Sequence, residues 1–306
     1  MADTLIRPTA EPAPVEDRRR PPRVRRTPTT YVLRLVATAY LFFLVAWPVS
    51  LVAVHTFDDG FSSIRSLLED PDIVVALQLS AYVAVFSVVI NTLFGVGISM
   101  LLVRHEFPGK RLLNALLDIP LSVSPIVVGL ALVLVYGGRN GWFGPTLAGW
   151  GFDVIFSTPG IIMATTFVAL PLMIREIVPV LEEIGIEQEQ AAESLGASAL
   201  QRFWRITLPS IKWGIVYGVV LTLARSLGEF GAVKVVSGNV LGQTRTATLV
   251  VEEKYLNFDQ QGAYAVAFLL AMVSVICIVV VALIRPKEAR PGSGPTRPRQ
   301  QKGSRP

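Results

Sequence analysis

The sequence predicts an all-α integral membrane protein with six transmembrane helices. Two observations carry this. Of 306 residues, 52% are hydrophobic and 17% charged, where a soluble domain carries about 25% charged residues. The charge is also segregated, leaving six apolar runs of about 20 residues, the length that crosses a bilayer. Half of the basic residues lie at the two ends: seven arginines in 1–30 and seven Lys/Arg in 285–306, making 14 of 28.

The domain plan is a basic Pro/Arg-rich tail at 1–30, a membrane domain at 31–284 and a second basic tail at 285–306. Neither tail is apolar enough to bury a core, so both are expected to be disordered. The net charge of +5 describes these tails. They fit solvated segments near anionic membrane lipid, and with no aromatic-interleaved basic platform nucleic acid is not an expected partner.

The first span is 31–57. An arginine-rich start followed by apolar residues imitates a cleaved signal peptide, but the run is longer than the roughly 7–15 residues of a signal core, so a retained span is expected. The second span, 74–103, is continuous. The third, 112–136, contains Pro120 and Pro125, and the fourth, 159–180, contains Pro171. The fifth, 212–236, carries Arg225 and Glu229. Helices packed against protein tolerate such residues better than helices bare in lipid. The sixth is 262–284.

Basic residues cluster in the first tail, the 104–111 turn, the 181–211 segment and the second tail. The 58–72 loop holds Arg65 against Asp58, Asp59, Glu69, Asp70 and Asp72. Excess Lys/Arg marks the cytoplasmic side, so both termini and the 181–211 segment are expected there.

No metal site or catalytic set is expected. Cys277 stands alone in an apolar run, and His55 and His105 sit singly near run ends, read as interfacial residues. The Gly109-Lys110 pair lacks the glycine and hydroxyl of a phosphate-binding loop. The chain therefore binds no cofactor of its own in this reading.

The segment between the fourth and fifth runs, Glu187 to Ser210, reads as two short helices. Ala191, Ala192 and Leu195 recur at helical spacing, and Gly196 supplies a left-handed stop. Ser198 and Gln201 form a capping-box pattern that starts a second helix, and Pro209 is expected to end it before the fifth span. From the residues alone, an interfacial hairpin joining two spans fits as well as a docking element. Arg225 and Glu229, four apart, are expected to share a helix face and pair, either in a translocation path or as an internal ion pair. Ser122 and Ser124 beside Pro125 offer donors near a helix break, or bonds to their own helix.

The order A-A-x-x-x-G, nine residues, I-x-L-P is similar to the "EAA" motif of ABC importer permeases. Here it is Ala191, Ala192, Gly196, Ile206, Leu208 and Pro209, with Gln190 where the family has glutamate. "LLDIPLSVSPIVVGL", "GWFGP", "LPSIKWGIVYGV" and "RSLGEFGAVKVVSG" resemble the sulfate/thiosulfate permeases of the CysW type from about Tyr31 to Ile284. The resemblance implies a type I ABC importer transmembrane fold (core about 74–284) in a bacterial cytoplasmic membrane. Its coupling element would engage the ATPase through Gln190, Ala191, Ala192, Gly196, Ile206, Leu208 and Pro209. It implies a CysT-type second permease, two CysA-type ATPase subunits that use ATP and Mg, and an extracytoplasmic sulfate-binding protein. A molybdate or other oxyanion permease is the nearest competing reading. An ion-coupled secondary transporter is a more distant one, since only Glu229 and Asp118 supply acidic groups in spans.

Overall fold

The structure, a computed structural model, describes residues 28–58 and 60–284. The tail assignments therefore lie outside the described residues, apart from residues 28–30, which open the first helix. The chain divides into two units, Met1–Ser50 and Leu51–Pro306.

Among the described residues every regular element is helical. Helix α1 is Pro28–Thr56, and α2 is the short Ser62–Glu69. α3 is Pro71–Arg104, α4 Lys110–Ser122, α5 Pro125–Tyr136 and α6 Gly144–Gly149. α7 is Thr158–Ile184, α8 Glu187–Ser194, α9 Ala199–Leu227 and α10 Gly231–Val236. α11 is Ala247–Leu256 and α12 Gln260–Ile284. Among the described residues, five helices are long and apolar enough to cross a membrane, or six when α4 and α5 count as one broken span.

α3 begins where its sequence commands. The Asp70 carboxylate accepts from the Asp72 N–H at 3.0 Å and Pro71 occupies the first turn, where its missing N–H costs nothing. α7 is the centre of the second unit, with Ile161, Met173, Ile177 and Leu181 fully buried. Small residues bring its neighbours close. A Cβ on Gly95 of α3 would lie 2.5 Å from Met173 Cγ, and one on Gly218 of α9 would lie 2.4 Å from Met173 Sδ. Where lipid replaces water, such close backbone approach is what holds helices together.

Two expectations need correction, while the helix break read beside Pro125 is present. The third run parts between Ser122 and Pro125 and turns by 114°, because proline excludes the helical conformation from the residue before it and supplies no N–H. The fifth run is shorter at its far end: α9 stops at Leu227, and 231–236 is the separate α10. Pro209 does not end a helix either, since α9 runs through it from Ala199. The turn before it widens to a π-turn, Phe203–Thr207, in which the Leu208 N–H reaches the Phe203 carbonyl. Phe42–Ala46 in α1 repeats the device two residues before Pro48. A wider turn carries the preceding carbonyls clear of the proline ring.

Candidate functional site

The α7–α9 connection builds the first candidate site. α8 closes on the Schellman pattern. The Gly196 N–H donates to the Glu193 carbonyl at 2.9 Å, and the Ala197 N–H donates to the Ala192 carbonyl at 3.0 Å. Gly196 has φ +85°, the left-handed conformation its sequence position predicts. The Ser198–Gln201 capping box then forms in both directions. Gln201 N–H donates to Ser198 Oγ at 3.3 Å, and Ser198 N–H donates to Gln201 Oε1 at 2.9 Å.

Gln190, Ala191, Gly196 and Pro209 are exposed, while Ala192, Ile206 and Leu208 are half-buried. The element thus presents a small-residue surface outward on one side. Leu195 and Leu200 stand exposed beside it, at 88% and 68%. Phe203 packs on the Met173–Ile177–Leu181 core, whereas Trp204 is exposed. On the inward side Glu189, next to Gln190, accepts bonds from Arg104 and from Thr207.

The second candidate site lies where two helix breaks meet. Glu229 falls in the gap after α9, and its Oε2 sits 2.8 Å from Arg225 Nη1. Its other oxygen, Oε1, accepts from the Ala232 N–H at 3.0 Å, fastening the start of α10. The Glu229 side chain is 2% exposed and that of Arg225 is 35% exposed. The two residues pair as their spacing predicts, but not on one helix face, because α9 has already ended. Facing them is the α4–α5 break: a Cβ on Gly231 would lie 3.0 Å from Pro125 Cβ and 3.3 Å from the Ile126 nitrogen.

Ser122 and Ser124 are exposed at that break. Ser122 Oγ donates back to the Asp118 carbonyl at 3.2 Å. The Ser124 carbonyl accepts from the Val127 and Val128 N–H groups at 2.9 and 3.1 Å, while its hydroxyl caps nothing. Among the described residues, no hydrogen bond joins either serine to Arg225 or Glu229.

Several charged partners escape local sequence reading. Arg175 of α7 pairs with Asp118 of α4 at 2.7 Å, across 57 positions. Lys234 of α10 pairs with Glu252 of α11, and Arg245 with Glu253. Lys254 donates to Asp259 at 2.7 Å, and this bond holds the Asp259 carboxyl below the usual carboxylate range, with the Gly262 N–H adding to it against a desolvation cost. No cluster of His, Cys, Asp or Glu suited to a metal ion occurs among the described residues.

Residues 91–290 match the family described as binding-protein-dependent transport system inner membrane component. The chain is 45% identical over 254 residues to the sulfate transport system permease protein CysW of Synechocystis, covering 83% of this chain and 92% of that one. It is 31% identical over 268 residues to the sulfate transport system permease protein CysT of Salmonella typhimurium, covering 87% and 96%. In fold it is similar to a bacterial alginate ABC transporter in complex with an alginate pentasaccharide-bound periplasmic protein. That match has a TM-score of 0.69 at 15% identity, over 83% of this chain and 92% of that one.

Proposed function

This chain belongs to the binding-protein-dependent transport system inner membrane components, and we propose that it is the CysW-type permease of an ATP-driven sulfate/thiosulfate importer. It is a multi-pass inner-membrane transport protein. The observation that carries the mechanism is the α8–Gly196–α9 element. It is a rigidly capped joint between two spans, with the small residues Ala191 and Gly196 exposed beside Gln190. Small side chains admit another protein surface closely, and a fixed joint transmits the angle at which that surface arrives.

In this reading the element engages an ATPase of the CysA type, with ATP and Mg held on that subunit. Ala192, Ile206 and Leu208 support the contact from behind, and Pro209 stands exposed beside it. A CysT-type chain supplies the second permease, two ATPase copies sit on the cytoplasmic side, and an extracytoplasmic sulfate-binding protein delivers the anion. Both termini are cytoplasmic in this reading. ATP binding and hydrolysis bias the permease pair between outward and inward states.

Arg225 is assigned to the anion path. One guanidinium nitrogen is engaged by Glu229, and the side chain is partly exposed. A tethered arginine attracts an oxyanion without holding it firmly, which a path that must release its cargo requires. Ser122 and Ser124, at the facing break, supply hydroxyl donors in the same reading.

The test is labelled-sulfate uptake in a strain deleted for this chain and complemented with it, with thiosulfate and molybdate as competitors. Uptake that depends on the chain, and that thiosulfate suppresses more than molybdate, supports the assignment. Uptake independent of the chain refutes it, and stronger suppression by molybdate transfers the chain to that oxyanion.

A further inference from the structure

We propose that Arg104 and Glu189 are positioning residues that clamp the ATPase-facing element to the bundle, so that a push on α8 moves α3 and α7. The inference rests on the importer reading above. It starts from how little else holds α8. That helix has no buried residue, so apolar packing does not fix its orientation. Its capped Gly196 joint fixes it to α9 alone, and toward α7 it is joined through Gly185 at φ +72°, a side-chain-free backbone that turns readily. A helix so mounted would swivel under load unless a third connection stopped it.

Glu189 makes that connection. Its Oε1 accepts from Arg104 Nη2 at 3.0 Å and Nε at 3.3 Å, and from Thr207 Oγ1 at 2.9 Å. Arg104, the last residue of α3, also donates from Nη1 to the Leu181 carbonyl at 3.2 Å and from Nη2 to the Gly185 carbonyl at 2.8 Å. These carbonyls close α7, where no further helical N–H is available to them. One carboxylate thus ties α8 to the end of α3, through Arg104 to the end of α7, and to the π-turn of α9.

The two side chains are 9% and 19% exposed, so solvent and salt screen the pair far less than a surface bridge. The other bridge on α8, Glu193 with Arg202, joins α8 to α9 and reaches neither α3 nor α7. Gln190, adjacent in sequence, is exposed, so the neutral residue at the motif's glutamate position takes no part in the clamp. Only arginine fits position 104: its planar fork serves a carboxylate and two carbonyls at once, which a lysine ammonium does not span.

The test uses the whole complex, with second permease, ATPase pair and binding protein, reconstituted in proteoliposomes; the readout is sulfate moved per ATP hydrolysed. In Glu189→Gln the ATPase is expected to co-purify at unchanged stoichiometry and to keep hydrolysing, while the ratio falls by at least about fivefold, the lower end of usual coupling energies. Arg104→Lys lowers the ratio as well. Thr207→Val, which removes one donor to Glu189, lowers it about twofold, as loss of a single hydrogen bond does.

A merely structural role would lower the amount of complex and leave this ratio alone. An unchanged ratio in assembled Glu189→Gln overturns the proposal. Should that variant fail to assemble, an unchanged ratio in Thr207→Val overturns it equally. Absence of ATP-driven uptake by the unsubstituted complex refutes instead the importer reading on which the proposal rests.

Discussion

Arg225 Nη1 meets Glu229 Oε2 at 2.8 Å although the helix that carries the arginine ends two residues before the glutamate. The carboxylate reaches back over Gly228 while its other oxygen caps Ala232 of α10. Arg225→Gln is expected to cut sulfate uptake about tenfold, a loss of about 1.4 kcal/mol in transition-state terms, with the complex still assembled. Uptake assays alongside co-purification check this. Full uptake by assembled Arg225→Gln would remove the residue from the anion path.

Glu229→Gln behaves differently. The glutamine keeps an acceptor for the Ala232 N–H, but Arg225 loses its counter-charge in a site where Glu229 is almost wholly buried. Stability in detergent is expected to fall by about 1–3 kcal/mol, the usual penalty for breaking one side of a buried polar contact, read by thermal unfolding. A protein as stable as the unsubstituted chain would mean that the pair does not hold the break together.

Gly196 is tested by two substitutions that separate backbone from charge. Asparagine tolerates the left-handed conformation better than most residues, so Gly196→Asn is expected to retain ATPase binding. Gly196→Asp and Ala191→Lys place charge on the outward surface and are expected to lose it. Pull-down of the ATPase from membranes reads the result, and retained binding in both charged variants would take the docking role away from this surface.

Met173 is gripped between Gly95 and Gly218 with no exposed surface. Gly218→Val forces that side chain aside and is expected to destabilise by about 1–3 kcal/mol. Adding Met173→Ala to Gly218→Val supplies room and is expected to recover part of the loss. Thermal aggregation of the solubilised protein measures both; strict additivity would show that the two positions do not share one packing site.

Lys254 depresses the Asp259 carboxyl below 3.8, its ordinary value. A depressed acid stabilises the fold fully above its unfolded value, and the contribution fades as pH falls through the folded value. The α11–α12 junction is therefore expected to loosen only below about pH 4, and Asp259→Asn to remove that dependence. Hydrogen exchange of the Gly262 and Ala263 amides against pH follows it.

The sequence makes the helical class and the apolar runs legible because hydropathy over about 20 residues is a local property. The Gly196 stop and the Ser198–Gln201 box are legible for the same reason, each being written within a few residues. Pro209 misleads, because proline usually ends a helix and here a π-turn absorbs it. The bend at Val123–Ser124 is signalled by Pro125, but its size is set by packing against α7 and α10. Arg104–Glu189 and Arg175–Asp118 lie 85 and 57 positions apart, so no spacing rule reaches them. Glu189 in particular is overshadowed by its neighbour Gln190, where the motif draws attention.

The most direct test of the account is sulfate accumulation by proteoliposomes holding this chain with its second permease and ATPase pair, with binding protein outside and ATP inside. Accumulation is expected to require ATP, the ATPase and the binding protein together. Accumulation driven by a proton or sodium gradient with ATP absent would contradict it.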